Sequence, residues 1–338
     1  MSRPRVLAVP MLWLLLVPAL EAATPPAPPA PPPFAIAIHG GAGVIERAKM
    51  TPDKEAGYRA GLAAALDAAY AILERGGTSL DAVTTAVRML EDDPQFNAGR
   101  GAVLNQDGDA ELDAAIMDGH GPHAGAVASV RHVKNPIDLA RLVMERSPHV
   151  LLVGEGAEEF ALEQGVVLVP RGYFRTRARM SQLEEARQAE KDRGTAGSGH
   201  GTVGAVALDR AGNLAAATST GGLTNKHRGR VGDSPLIGAG TYAHNDNCAV
   251  SGTGDGEYFI RQVLAYDVCA LMAYKHLTLA QAVTEEIHTK LTASGGEGGV
   301  IALDAAGNIV MDFNSIGMYR GARDGHGRRE IGMYRDSP

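Results

Sequence analysis

Apolar side chains recur at helical intervals between residues 53 and 75 (Leu62, Ala65, Leu66, Ala69, Tyr70, Leu73) and stop at Gly76-Gly77, which predicts a helix with its glycine end signal. Ser79–Leu90 repeats the pattern, with Ser79 as the expected N-cap. Residues 136–145, 155–164 and 178–192 also read as helices, the last highly charged. Shorter apolar runs at Phe34–Gly43, 110–118, 124–133 and 202–220 read as strands. In Ser251–Tyr274, the residues Phe259, Ile260, Val263, Leu264, Val268, Leu271 and Met272 mark the buried face of one long helix beginning near Gly254. The charged and then Gly-rich stretch 176–201 is expected to be exposed and mobile.

One pattern occurs twice. VALDRAGNL (Val206–Leu214) returns as IALDAAGNI (Ile301–Ile309), each a strand, a D-x-A-G-N turn and a returning strand. A turn centred on Ala211 makes opposed residue numbers sum to 422, so Thr202 faces Thr220 with both side chains on one face. The second hairpin, displaced by 95 residues, puts Glu297 and Ser315 at those places, so the scaffold recurs without the threonine pair. The tail repeats GMYR around Asp324-Gly325 and reads as a closing hairpin. AIHGGAG lacks the spacing of a phosphate-binding fingerprint; it is either a core strand leaving its sheet or a backbone that passes close to a site.

Ahead of these elements, Arg3 and Arg5 precede an apolar run from Val6 to Leu20, broken by Pro10 and Pro18 and followed by small residues. Residues 1–23 therefore read as a cleaved secretory signal, and Thr24–Pro33 (TPPAPPAPPP) as an extended polyproline-type spacer. The folded body is expected over 34–338. Loss of the leader takes the formal charge from −7 to −8, which argues against nucleic acid and anionic membranes as partners. Two cysteines, Cys248 and Cys269, are too few for a disulfide scaffold or a four-cysteine zinc site; one disulfide and two buried thiols are both compatible with the sequence.

The hydroxyl that leads the first hairpin suggests chemistry. GSGHG (Gly197–Gly201) loosens the chain directly before Thr202. A threonine hydroxyl is a weak nucleophile and needs a base. Cleavage between Gly201 and Thr202 would free an α-amine, with an ordinary pKa of about 7.7 to 8.0, two bonds from the hydroxyl-bearing carbon. One residue would then supply nucleophile and general base. Thr253 and the amide of Gly254, at a helix start, are candidates for the oxyanion hole. Arg230 and Asp233, three apart in a Gly/Pro-bounded loop, suit a substrate carrying α-carboxylate and α-ammonium groups.

These residues, with AIHGGAG, FNAGRGAVL, ELDAAIMDG, HGTVGAVALD, TSTGGLTNK, GRVGDSP, GTGDGE and FNSIGMYR in this order across 34–338, resemble the plant-type asparaginases and isoaspartyl peptidases. That family comprises threonine N-terminal nucleophile hydrolases related to glycosylasparaginase. The resemblance implies an α+β fold, a four-layer αββα sandwich, that cuts itself into an α chain from about residue 24 to Gly201 and a β chain from Thr202 to Pro338. It further implies Thr202 as nucleophile with Thr220 beside it, and Thr253 with Gly254 as the oxyanion hole. Arg230, Asp233 and the carbonyl of Gly256 would bind the substrate, with Asn97 near the site. No organic cofactor is implied. A structural sodium ion on the backbone carbonyls of Leu90, Glu91, Asp93, Phe96, Ala98 and Arg100 is implied, as is a homodimer of αβ units. The sequence departs from the family in its leader and spacer and in S-G-T-G where many relatives carry S-C-T-G. Export to the periplasm or medium follows from the leader.

The expected reaction is hydrolysis of the side-chain amide of L-asparagine and of β-aspartyl dipeptides. Glycosylasparaginase activity is the alternative enzyme, which TNK and HGTVG disfavour. A periplasmic binding protein also fits a leader plus an α/β body, but gives no reason for a flexible segment ending at a strand-leading threonine.

Overall fold

The described residues of the computed structural model are 33–121, 123–193 and 201–335. The leader, the spacer up to Pro32 and the Gly194–His200 stretch lie outside them. Eight strands form one sheet: β1 (Ala35–Gly43), β2 (Leu112–Asp118), β3 (His123–Val130), β4 (Leu151–Val153), β5 (Val203–Leu208), β6 (Leu214–Thr220), β11 (Gly317–Asp324) and β12 (Arg329–Tyr334), in the order β12-β11-β1-β5-β6-β2-β3-β4. A second sheet has the order β10-β9-β8-β7, from β7 (Thr241–Ala243), β8 (Cys248–Gly254), β9 (Gly298–Asp304) and β10 (Ile309–Phe313). Neighbours are antiparallel except β3 with β4.

The helices are α1 (Pro52–Glu74), α2 (Ser79–Asp92), α3 (Pro136–Arg146), α4 (Gly154–Glu163), α5 (Arg177–Arg193), α6 (Gly256–Gln262), α7 (Leu264–Lys275) and α8 (Leu279–Thr284), the last continuing as a π-helix through Glu285–Leu291. Three apolar clusters order the layers. Leu62, Leu66, Val83 and Val87 of α1 and α2 pack on Ile36, Ile38, Ala205 and Ala217 of the large sheet. Ala35, Ala37, Val206 and Leu208 face Ala249, Ile301 and Leu303 between the sheets. Val250, Val300 and Ala302 meet Leu264, Val268, Val283 and Ile287 of the second helical layer. Alternate residues of β1 and β5 therefore serve two cores, as the period of two demands, and the result is the four-layer helix–sheet–sheet–helix sandwich. The many alanines at these positions suit two tightly stacked interfaces and account for the low aromatic content.

Two expectations change, a third holds in part, and the cysteine alternative is decided. Thr78, not Ser79, caps α2, its hydroxyl accepting from the Asp81 amide at 3.1 Å. The long helix after Gly254 is broken at Val263, which is left-handed (φ 51°) and 44% exposed. The break has a tertiary cause: the amides of Ala265 and Tyr266 donate to the carbonyls of Ala239 and Gly238, so the second segment starts anew against that loop. Within 176–201, the expected charged helix is α5, mostly exposed but burying Leu183 and Ala186, while the Gly-rich part up to His200 lies outside the described residues. Finally, Cys248 and Cys269 are disulfide-bonded, joining β8 to α7. The GMYR tail is the antiparallel β11–β12 hairpin.

Candidate active site

The repeated hairpin places the threonines as its register requires. Val203 opposes Ser219 and Leu208 opposes Leu214, every pair summing to 422. One step beyond, the Thr202 hydroxyl donates to Thr220 Oγ1 at 3.2 Å, with both residues buried. The β9–β10 pairs, Leu303 with Ile309 through Gly299 with Phe313, keep the same register at the second copy.

Behind Thr202, the carbonyl of Gly201 is held by two donors. Asn97 Nδ2 lies 2.6 Å from it and Thr220 Oγ1 3.1 Å. Asn97 cannot rotate freely: its amide also donates to the Gly222 carbonyl at 2.8 Å, and its Oδ1 accepts from the Val103 amide at 2.9 Å. Thr220 Oγ1 in turn accepts from the Gly222 amide at 2.9 Å. The AIHGGAG strand passes close by. A Cβ on Gly41, which sits at φ 115°, would stand 2.8 Å from Gly201 Cα and 3.1 Å from the Thr202 nitrogen. Of the two readings of AIHGGAG, close backbone approach to the site is therefore correct.

His39, unmarked in the sequence, is the main residue missed. Fully buried in β1, its Nδ1 donates to the Thr202 carbonyl at 3.0 Å, since a carbonyl only accepts. Nε2 is then the acceptor, facing Ser251 Oγ at 2.9 Å. Ser251 lies 2.7 Å from Thr218 Oγ1, to which Thr241 Oγ1 donates at 2.7 Å. Burial depresses the imidazole pKa to about 3, against which the Thr202 carbonyl pulls only weakly, so the ring is neutral. Space for this chain comes from Gly204, where a Cβ would meet Ser251 Oγ at 2.0 Å and His39 Nε2 at 2.4 Å. No local signal pointed to it, because its members come from β1, β6, β7 and β8.

On the other side of Thr202, Arg230, Asp233 and Gly256 converge as expected. A Cβ on Gly256 would stand 2.8 Å from Asp233 Oδ1 and 3.0 Å from Arg230 Nη2. Arg230 is braced by Glu257, which accepts from Nε and Nη2 at 3.0 and 2.9 Å. Asp233 is buried and its Oδ2 has no hydrogen-bond partner; burial raises its pKa to about 7, outweighing Arg230. Arg230 and Asp233 line a pocket with Gly201, Thr202, Thr220 and Gly254 that measures only about 10 Å³.

The oxyanion candidates need correction in one respect. Gly254 ends β8 and lines this pocket, but the helix starts at Gly256 and is seven residues long, so the helix-start argument does not apply to Gly254. Thr253 is buried and its Oγ1 accepts from the Ala42 amide at 3.1 Å, leaving its own proton to donate.

The loop Leu90–Arg100 turns tightly under α2. Carbonyl oxygens crowd its glycines: Glu91 O would lie 2.5 Å from a Cβ on Gly99, and Pro94 O and Phe96 O 2.6 and 2.2 Å from one on Gly101. Asp93 O accepts from the Phe96 amide and Ala98 O from the Gly101 amide. The Arg100 guanidinium donates to Tyr173 O. The Glu91 carboxyl is fully buried, accepts from Ser219 and Ile137 at 2.6 and 3.0 Å, and is driven up to about 8 by burial. Among the described residues no group of three or more His, Cys, Asp or Glu side chains is placed to hold a metal.

Comparison with known proteins agrees with this geometry. The isoaspartyl peptidase of Salmonella typhimurium is 54% identical over 308 residues, covering 89% of this chain and 98% of that protein. That of Escherichia coli is 51% identical over 314 residues, 89% and 96% of the two chains. A probable isoaspartyl peptidase/L-asparaginase 2 of Arabidopsis thaliana is 42% identical over 326 residues, 89% and 99%. The asparaginase family profile spans residues 33–333, and with it nearly the whole described fold, so the chain belongs to the asparaginase family.

Proposed function

We propose that the protein is a self-cleaving amidohydrolase that uses Thr202 to hydrolyse L-asparagine and β-aspartyl dipeptides. The observation that carries this is the placement of the Gly201–Thr202 peptide. The Gly201 carbonyl rests on Asn97 and Thr220, and a pocket lined by Arg230 and Asp233 lies next to Thr202, which supports a substrate with α-carboxylate and α-ammonium groups. In the first stage Thr202 Oγ adds to the Gly201 carbonyl carbon while Asn97 and Thr220 donate to the developing oxyanion. The C–N bond breaks with proton transfer to nitrogen, and water hydrolyses the resulting ester. The products are a Gly201 carboxylate and a free Thr202 amine. Departure of Gly201 also enlarges the pocket that it lines.

In the second stage the substrate α-carboxylate meets Arg230, and its ammonium meets Asp233 and the Gly256 carbonyl. The Thr202 amine takes the proton of its own hydroxyl, and Oγ attacks the side-chain carbonyl. Thr253 and the Gly254 amide stabilise the oxyanion, a role typically worth about 2.7 to 4 kcal/mol per donor. The proton passes to the leaving nitrogen, ammonia or an amino acid departs, and water releases aspartate from Thr202. His39 holds the Thr202 carbonyl so that the nucleophile keeps its orientation. Intact mass and side-by-side assay of asparagine and β-aspartyl-leucine test the reading: a β chain starting at Thr202 and turnover of both are expected, and an active, uncut chain would sink it.

We further propose export, supported by the Arg3/Arg5-led apolar leader and the disulfide, which belongs in an oxidising compartment. The carbonyls of Leu90, Glu91, Asp93, Phe96, Ala98 and Arg100 would hold a structural sodium ion; the crowding of Glu91 O and Phe96 O around side-chain-free glycines suits a hard cation. It would stiffen the loop that carries Asn97. A homodimer of αβ units completes the reading.

A further inference from the structure

A second cavity adjoins Gly201. It measures about 220 Å³ and shares only Gly201 with the Arg230–Asp233 pocket. One wall is aromatic: Tyr58 stacks on Tyr319 with centroids 4.4 Å apart, and Phe96 meets both rings edge-on. Another is the backbone of Gly40–Gly43, and the remaining wall carries Arg179 of α5.

Arg179 is an unusual lining. Its guanidinium donates to the Gly101 carbonyl at 2.5 Å, to Gln182 Oε1 at 2.8 Å and to the Gln95 carbonyl at 3.2 Å, all neutral acceptors. Those bonds use three of the five N–H donors that an arginine carries. No carboxylate among the described residues faces it, and desolvation pulls its pKa below the ordinary arginine value. A half-buried cation held rigid by three neutral partners and left without an anion is costly, and it is preorganised for one.

We propose that this cavity is the leaving-group subsite and that Arg179 binds the free carboxylate of the amino acid released from a β-aspartyl dipeptide. The inference rests on the reaction proposed above. If the aspartyl half of the substrate fills the Arg230–Asp233 pocket with its scissile carbonyl at Thr202 Oγ, the other half leaves toward the cavity that adjoins Gly201. There an amino acid presents one carboxylate, matched by Arg179, and one side chain, matched by the Tyr58–Phe96–Tyr319 wall. Ammonia from asparagine makes neither contact. Arg179 thus distinguishes a dipeptidase from a simple asparaginase, favouring dipeptides with an apolar second residue. The same cation also suits the Gly201 carboxylate created by self-cleavage, so the test must separate the two sources.

The experiment compares kcat/KM of the processed enzyme for β-aspartyl-leucine, β-aspartyl-leucinamide and asparagine. A charge-assisted contact predicts that wild type prefers the acid over the amide tenfold or more. In Arg179→Met, which keeps the packed stem, that preference should fall to within twofold, mainly through KM for the acid, and Arg179→Lys should restore most of it. Equal use of acid and amide by wild type, or an unchanged preference in Arg179→Met, overturns the proposal. So does a loosened α-chain end in Arg179→Met, seen by limited proteolysis, with the acid/amide ratio intact, because Arg179 would then serve the Gly201 carboxylate. Wild type inactive on all three substrates would instead refute the reaction itself.

Discussion

The Thr220 hydroxyl bridges the two sides of the Gly201–Thr202 joint: it accepts from Thr202 Oγ1 at 3.2 Å and donates to the Gly201 carbonyl oxygen at 3.1 Å. In the proposed self-cleavage, nucleophile and electrophile would thus be oriented by one oxygen before any bond is cut. Thr202→Ala should give a single uncut polypeptide without activity, whereas Thr202→Ser, which keeps the oxygen, should still be cut. Thr220→Val, nearly isosteric, should fold and be cut at least a hundredfold more slowly, read as the half-time of β-chain appearance on a denaturing gel. Normal cutting in Thr220→Val would remove the bridge from the mechanism.

Asn97 donates to the same carbonyl at 2.6 Å. Loss of one such oxyanion donor costs about 2.7 to 4 kcal/mol, or about a hundred- to a thousandfold in rate. Asn97→Ala should slow self-cleavage by that factor. An unaltered half-time would show that Thr220 alone suffices.

Gly41 combines a left-handed φ of 115° with Gly201 Cα at 2.8 Å from its missing Cβ. Gly41→Ala should therefore cost at least about 1 kcal/mol of stability and displace the scissile peptide. The expected signature is a cleavage defect larger than the shift in thermal midpoint explains; cleavage at the wild-type rate would mean that the strand yields without moving Gly201.

The parts of this site that were legible in the sequence are those carried by short-range rules. A hairpin turn fixes register, so Thr202 opposite Thr220 followed from the D-x-A-G-N turn, and the second copy of that turn gave an independent check. The sandwich followed from the family resemblance and the mix of elements. What was not legible depends on residues far apart in the chain. His39 and Ser251 are separated by 212 positions, and a lone histidine in an apolar run carries no mark of its partner. Likewise the apolar period runs unbroken through Val263, while the break is imposed by carbonyls of Gly238 and Ala239. Arg179 looked like one charge among many on a solvated helix.

Asp233 ionises at about 7 in the folded protein, because burial opposes its charge more than Arg230 supports it. Binding an ammonium needs the carboxylate form. Below pH 7 the protonated form prevails, so KM for asparagine should rise about tenfold per pH unit as the pH falls from 7 to 5. Asp233→Asn should raise KM at pH 8 and abolish this dependence. A flat wild-type profile in that window would exclude Asp233 as the ammonium partner.

His39 supplies a stability test with a definite sign. Its folded pKa of about 3 lies below the ordinary 6.5 because burial disfavours the imidazolium. Between those values the unfolded chain binds a proton that the native state does not, so unfolding free energy rises with pH there. Its contribution is complete above about pH 6.5 and is lost as the pH falls toward 3. The limiting slope is about 1.4 kcal/mol per pH unit for one proton. His39→Asn keeps a donor at the Nδ1 position for the Thr202 carbonyl but cannot titrate. Its denaturant-derived stability should be lower than wild type at pH 7, because the Ser251–Thr218–Thr241 chain loses its acceptor. Between pH 6 and 4 its stability should also fall less steeply, by up to that slope. Parallel wild-type and variant curves across this range would mean that folding leaves the His39 pKa near its ordinary value, so that burial does not hold the ring neutral and Nε2 is not a fixed acceptor for Ser251.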